Sequence, residues 1–350
     1  MPVLRHEIRL HRRAAEGTLG FSTREACLPR ILVVAPNWIG DALMAQPLLA
    51  RLHEKLPGAQ IDVLAPPWVA PVARRMPEVS EVIDAPLRHG PLQLRDRWRL
   101  GRSLRARGYD QAIVLPNSWK SALVPFFADI PLRSGYVGES RYGLLNLLYR
   151  TPPGKDRPDM RLHYARLADA PGVKPLQPLP QPRLRVAADE ISRVREKFGL
   201  SQPYVALCPG AEYGPAKRWP YFADLARGLS MPAAVLGSAS DAEAARGIEG
   251  TNLTGKTSLD EAIALIAGAH AVVSNDSGLM HVAAALDRPQ VALFGSSSPE
   301  HTPPASAEAR VIWLHIECSP CYQRECPLGH FRCMKEIDVG MVLERLKAFS

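Results

Sequence analysis

The sequence has no apolar run of the roughly 18 residues that a membrane-spanning helix needs, its longest candidates being broken by proline or histidine. No spanning helix is expected. The first thirty residues offer no uninterrupted apolar core either, because Arg9, His11, Arg12 and Arg13 cut it, so a secretory signal is not expected and disulfides lose their usual compartment. No G-x-x-x-x-G-K-[ST] loop is present and no G-x-G-x-x-G follows the first expected strand, which removes the usual support for ATPase and dehydrogenase readings. There is no Asp-x-Asp pair in a cleft context, no short repeat and no low-complexity tract. Acidic residues are the minority charge: 43 Lys and Arg against 35 Asp and Glu leave a net charge of +8. That surplus points to an anionic partner: a phosphate-bearing substrate, an anionic membrane surface or nucleic acid. Nucleic acid rests on charge alone, without a recognition helix or aromatic strand motif, and is not expected as a partner.

At 350 residues the chain suits two domains. Short β-rich runs alternate with helical spacing from Arg30 onward, the mark of a parallel sheet covered by helices and hence of an α/β fold. The first series holds Ile31–Ala35, Ile61–Leu64, Val82–Ile83 and Ala112–Leu115, with a helix through Ala45, Leu48, Leu49, Leu52 and Leu56 and a basic helix from Arg97 to Arg107. The second holds Tyr204–Leu207, Ala233–Leu236, Ala271–Ser274 and Gln290–Phe294, entered by a helix from Ala188 to Phe198. Between them, Val173 to Pro182 carries four prolines in ten residues and reads as an extended linker. The expected organisation is a poorly ordered basic leader over 1–29, a first domain over 30–172, a linker over 173–185, a second domain over 186–337 and a last helix in 338–350 packing back towards the first domain. Two doubly wound Rossmann-like domains facing across a cleft place ligands at the C-terminal ends of their strands.

The motifs fall at those ends. Val272-Val-Ser-Asn-Asp276 breaks into Ser277, Gly278, Leu279 and His281, where Asp276 and Ser277 read as a helix cap and free N–H groups favour an anion. The loop Cys208-Pro-Gly-Ala-Glu-Tyr-Gly-Pro-Ala-Lys-Arg-Trp-Pro220 places Gly210 at a turn, Lys217 over a diphosphate and Arg218 beside it. Asp241 and Glu243 follow another strand; Asp241 suits a helix-start acid or an acceptor for ribose or sugar hydroxyls, while Asn252-Leu-Thr-Gly-Lys256, with Thr254 and Gly255, precedes a capped helix and suits the border of a nucleotide base. In the first domain Asp41 stands at a strand end, either as a helix N-cap or as a general base for an acceptor hydroxyl. Asn117, Ser118 and Lys120 follow a further strand, and Arg133 and Arg141 extend the basic half. Six cysteines are divided unevenly: Cys318, Cys321, Cys326 and Cys333 crowd together with His330 among them. Cys318-x-x-Cys321 is a zinc half-site, but Cys326 and Cys333 are closer and more irregular than usual knuckle pairs, so reduced loop cysteines are expected ahead of structural zinc.

On Pro36-Asn-Trp-Ile-Gly-Asp41, Leu115 to Phe127, Arg141-Tyr-Gly-Leu-Leu-Asn146, Cys208 to Pro220 and Asn275 to Leu286, the chain resembles the bacterial ADP-heptose:lipopolysaccharide heptosyltransferase family, over roughly Arg30 to Ser350. The resemblance implies a GT-B glycosyltransferase with an acceptor-binding N-terminal and a donor-binding C-terminal domain. It implies ADP-L-glycero-β-D-manno-heptose as donor, heptosyl-Kdo2-lipid A as acceptor and no required cofactor or metal. The protein would be cytoplasmic, peripheral at the inner membrane. Carried over, Asp41 becomes the base and Lys217 the stabiliser of the leaving diphosphate. Gly210, Arg218, Asp241, Glu243, Thr254, Gly255, Asp276, Ser277, Gly278, Leu279 and His281 become the donor site, and Asn117, Ser118, Lys120, Arg133 and Arg141 the acceptor site. Transfer of the first heptose onto Kdo, or a nucleotide-sugar epimerase of the same architecture, are the alternatives.

Overall fold

The computed structural model describes residues 28–88, 90–151, 157–175 and 177–349. Apart from Leu28 and Pro29, the expected leader lies outside the described residues. The first half holds β1 (Arg30–Val34), β2 (Gln60–Ala65), β3 (Glu81–Asp84), β4 (Gln111–Val114), β5 (Leu132–Tyr136) and β6 (Leu147–Tyr149) in one sheet of order β3-β2-β1-β4-β5-β6. The second holds β7 (Val205–Cys208), β8 (Ala233–Val235), β9 (Thr251–Asn252), β10 (Ala271–Asn275), β11 (Gln290–Phe294) and β12 (Ala309–Trp313), ordered β12-β11-β10-β7-β8-β9. Every pairing is parallel. Counted from its own first strand, the second sheet repeats the winding of the first. Ile31 to Val34 and Ala271 to Asn275 are buried along their whole length, because helices cover both faces of a parallel sheet.

All eight strands anticipated from the sequence form. Four more, β5, β6, β9 and β12, complete the sheets. β6, β9 and β12 are edge strands and β6 and β9 hold only three and two residues, so none needs an apolar run on both sides. β5 reads Leu-Arg-Ser-Gly-Tyr, which hides its pattern. The winding reverses between β1 and β4 and between β7 and β10, so each half has one switch point where loops splay apart and leave a crevice.

The halves are not separate bodies on a string. One apolar core runs from Ile31 and Leu48 through Tyr164 to Tyr204, Ile263 and Val282. The connector after the proline run is hydrogen-bonded alternately to both sides: Gln46 grips Arg183, Leu184 N–H donates to the Ala285 carbonyl and Arg185 N–H to that of Arg75. The last helix, Val339–Lys347, does not return to the first half as expected. Val342 is fully buried in the second half's core with Trp219, Phe222 and Leu293, and Leu343 lies against Gly228, so its apolar face is taken up by the helix Phe222–Gly228 and the core beneath it.

Candidate functional site

Both switch points open onto the same junction. After β1 the chain turns through Pro36-Asn-Trp into the helix Ile39–Met44, with Trp38 at the N-cap and Asp41 as the third helical residue. Asp41 is therefore not the cap. Its carboxyl is enclosed, and burial raises its pKa from 3.8 to about 6, against the pull of a hydrogen bond from Tyr164 and of the Lys217 charge; Asp276 pushes it further up. Tyr164, buried on the helix Met160–Ala165, was not singled out from the sequence. Nothing local marks it, since its contact with Asp41 exists only once the chain has folded back.

Across the junction, the loop after β7 carries Lys217 at the end of a single 3-10 turn, Pro215–Lys217. Its ammonium donates to Asp276 Oδ2 at 2.5 Å, and Ser297 Oγ donates to the same oxygen at 2.5 Å. Two further bonds hold the loop. Trp219 N–H donates to Asn275 Oδ1 (3.1 Å), and Asn275 Nδ2 donates to the Pro209 carbonyl (2.7 Å). Asn275 is thus the rivet between the β7 and β10 loops, a role visible only in three dimensions. Arg218 lies beside Lys217 with its Nε buried and unpaired.

The helix Gly278–Ala285 starts directly after β10. Ser277 occupies the N-cap position in extended conformation but makes no capping bond, its Oγ lying 3.2 Å from Ser274 Oγ, while Asp276 is turned to Lys217. The expected Asp276–Ser277 cap is thus not made, and the first-turn N–H groups at Gly278 and Leu279 keep their capacity for an anion. His281, one turn on, is buried, and burial drives its pKa down to about 4, so the imidazole is neutral at pH 7. The two helices cross where they have least bulk. A Cβ at Gly40 would stand 2.7 Å from His281 Cδ2, and one at Gly278 would stand 3.1 Å from Ile39 Cβ.

At the end of β8, Asp241 Oδ2 accepts from Ser238 N–H (2.9 Å) and Ser238 Oγ (2.7 Å), whereas Oδ1 is buried without a partner. Gly210 lies against it, since a Cβ there would fall 2.3 Å from the carboxyl carbon. Thr254 Oγ1 is likewise buried and unpaired, and Gly255 follows with φ +71°, bonded to the Gly237 carbonyl. Unpaired buried oxygens are costly, so this corner suits a polar ligand. Glu243 does not join it: its carboxylate is exposed and paired with Arg246 one turn on.

In the first half, Asn117, Ser118 and Lys120 line a cavity of about 350 Å³ with Val34, Leu64 and Pro116 at the ends of β1, β2 and β4, and with Arg88 and Arg97. Arg133 and Arg141 are not part of it. Arg141 is only 2% exposed, and its guanidinium donates to the carbonyls of Tyr136 (3.1 Å) and Pro116 (2.5 Å) and to Asn117 Oδ1 (3.2 Å). Arg133 donates to the carbonyls of Leu144 (2.6 Å) and Ile130 (2.5 Å). Both are scaffolding for loops around the cavity: the buried Arg141 and the half-buried Arg133 commit their donors to the carbonyls that surround them.

An enclosed carboxylate on one side of a cleft and a cation with uncapped helix N–H groups on the other form an arrangement for displacing an anionic leaving group by a hydroxyl. The family model described as glycosyltransferase family 9 (heptosyltransferase) matches residues 97–332. The chain belongs to that family. It is 47% identical over 341 residues to lipopolysaccharide heptosyltransferase 2 of Escherichia coli, covering 91% of this chain and 98% of that protein. Lipooligosaccharide heptosyltransferase 2 of Haemophilus influenzae is 43% identical over 341 residues, covering 90% and 98%. Among solved structures, that of the E. coli ADP-heptose lps heptosyltransferase II matches with a TM-score of 0.81 at 45% identity, covering 91% of this chain and 98% of the other. The two sheets are thus the two halves of a GT-B fold, and the chain is a glycosyltransferase of the heptosyltransferase family. The epimerase alternative falls away. Among the described residues no helix is long and apolar enough to cross a membrane.

Proposed function

We propose that this enzyme transfers L-glycero-D-manno-heptose from ADP-L-glycero-β-D-manno-heptose to the first heptose of heptosyl-Kdo2-lipid A, with inversion at the anomeric carbon. The observation that carries the reading is the Asp41 carboxyl, held at about 6 and facing Lys217 and Asp276 across the domain junction. A carboxylate with that affinity for a proton is largely ionised at pH 7 yet a better base than an ordinary aspartate. Asp41 takes the proton of the acceptor hydroxyl as its oxygen bonds to the anomeric carbon. On the far side the bond from that carbon to the diphosphate oxygen breaks, and ADP leaves with the electron pair. Lys217 and the N–H groups of Gly278 and Leu279 meet the charge that develops there. Asp276 holds Lys217 in place, and the unpaired oxygens of Asp241 and Thr254 meet donor hydroxyl or amine groups.

Asn117, Ser118 and Lys120 bind the acceptor in the first-half cavity. The basic surplus of that half suits phosphate and Kdo carboxylates at the cytoplasmic face of the inner membrane, where the enzyme is peripheral. The names of the E. coli and H. influenzae relatives support the second-heptose step. Mass spectrometry of products from ADP-heptose and two acceptors, Kdo2-lipid A with and without its first heptose, tests it. Addition only to the heptosylated acceptor is expected; addition only to the bare one moves the enzyme to the first step, and addition to neither removes the reading.

A further inference from the structure

The exposed aromatic surface of the molecule is lopsided. Trp38, Trp68, Trp98 and Trp119 are each at least 39% exposed and all belong to the first half, whereas in the second Trp219 is buried and Trp313 partly buried. Trp98 stands on the helix Leu94–Leu104, whose two faces differ in character. The inner face, with Arg97, Gly101 and Leu104, is buried. Gly101 lets it lie against the helix Leu123–Phe127, since a Cβ there would stand 2.5 Å from Phe127 Cβ. The outer face is exposed.

On that outer face Leu94 and Trp98, each 50% exposed, stand one turn apart, and Leu92 just before the helix adds a third exposed apolar side chain. Arg95, Arg99 and Arg102 recur at helical spacing and form a basic strip alongside them. Among the described residues none of these three arginines has an ion-pair partner, whereas Arg105 and Arg107, just beyond, are matched by Asp129 and Glu81. Asp96 is the one acidic residue of the helix, and its carboxylate accepts from Gln93 Nε2 (3.4 Å). An apolar strip edged by unmatched arginines suits a helix lying in a lipid headgroup layer. Ring and aliphatic carbons enter the acyl boundary there, and guanidinium groups pair with phosphates.

We infer that the outer face of Leu94–Leu104, together with Leu92, is the surface on which this enzyme rests against an anionic lipid bilayer. The helix ties that surface to the reaction. Arg97, on its inner side, lines the first-half cavity with Lys120, its Nε donating to the Leu92 carbonyl (2.7 Å) and its Nη1 to that of Lys120 (3.0 Å). The Lys120 ammonium in turn donates to the Gly90 carbonyl. Docking face and cavity wall are therefore one piece, and the cavity lies about one helix diameter, roughly 10 Å, from the lipid surface. A sugar anchored in the same bilayer reaches the cavity while its lipid stays in the membrane.

The use of this face in turnover rests on the reading of the acceptor as lipid-linked; vesicle binding does not. Sedimentation of the full chain with vesicles of equal parts phosphatidylglycerol and phosphatidylcholine tests it. Binding is expected, weakening as salt rises and absent with phosphatidylcholine alone. Arg95→Ala, Arg99→Ala and Arg102→Ala together should weaken it roughly 100-fold, about fivefold per arginine. Leu94→Ser with Trp98→Ser should weaken it with the charge intact, circular dichroism showing that both variants are folded. A wild-type chain that ignores the vesicles, or variants that bind as tightly as wild type, overturns the proposal. So does a dimer that only the Leu94→Ser, Trp98→Ser variant abolishes, without vesicle binding, since the face then belongs to a second copy. Both variants should match wild type on acceptor dispersed in detergent and lose turnover on acceptor embedded in vesicles; wild-type turnover on the embedded acceptor also overturns the proposal. Vesicle binding lost in the variants, with no transfer by the wild-type enzyme to either preparation, leaves the docking face standing and removes the functional reading instead.

Discussion

Replacing Asp41 by Asn should make the enzyme more stable and nearly inactive, and the two effects have one cause. The folded carboxyl holds its proton up to about pH 6, against 3.8 when unfolded. Below 3.8 both states are protonated and burial costs nothing. Between 3.8 and 6 the unfolded chain releases its proton while the folded chain keeps it, so the carboxyl increasingly opposes folding as pH rises; above 6 the opposition is complete. Roughly two pH units correspond to about 3 kcal/mol in full, of which about half is already present at pH 5. Asn carries no charge to desolvate, so the stability of Asp41→Asn relative to wild type should grow by about 1.5 kcal/mol between pH 5 and pH 8. Urea unfolding of both proteins at the two pH values measures that difference. Loss of a general base should lower turnover about 10²- to 10⁴-fold with donor binding retained, and wild-type kcat/KM should fall as pH drops through about 6. A stability difference that is flat in pH refutes the burial argument, and turnover near wild type in the variant refutes the role.

Lys217→Ala should weaken donor use and, by leaving the buried Asp276 carboxylate without its cation, destabilise the second half by a few kcal/mol, on the order of 3 to 5; isothermal titration with ADP and thermal melts read the two effects, and unchanged ADP affinity would exclude a diphosphate contact. Lys120→Ala should raise KM for the lipid acceptor while ADP-heptose KM stays put, which steady-state kinetics with each substrate varied will check. Arg141→Ala should cost about 2 to 5 kcal/mol, since it leaves the Tyr136 and Pro116 carbonyls and Asn117 without their donor; a variant as stable as wild type contradicts the scaffold role. Gly40→Ala forces a methyl to within 2.7 Å of the His281 ring, and about 1 to 3 kcal/mol of overpacking strain should appear in unfolding experiments.

What the sequence conveyed was the architecture and the loops that matter; what it concealed was which way side chains face. Lys217 and Asp276 were each legible as strand-end residues, yet their ion pair joins positions that only the order β10-β7 makes neighbours. Arg133 and Arg141 counted equally with Lys120 as positive charge, but guanidinium groups turned into carbonyls contribute scaffolding and little to the surface field. Glu243 and Asp241 differ by two positions along the chain, and the tight turn sends one into solvent and the other under Gly210. The C-terminal helix was misplaced because its apolar stripe says that a partner exists without saying which. Tyr164 carried no signal at all, since its value lies in a contact with a carboxyl far back in the chain.

The contact between Gly40 and the His281 ring, with Gly278 resting on Ile39, sits a single residue from Asp41 and in the first turn of the helix Gly278–Ala285. With no side chain on either glycine, the helices Ile39–Met44 and Gly278–Ala285 are in backbone-close contact there, so the separation of Asp41 from Lys217 is set by two residues that carry no chemistry of their own; any substituent at Gly40 or Gly278 would wedge the two halves apart at that point.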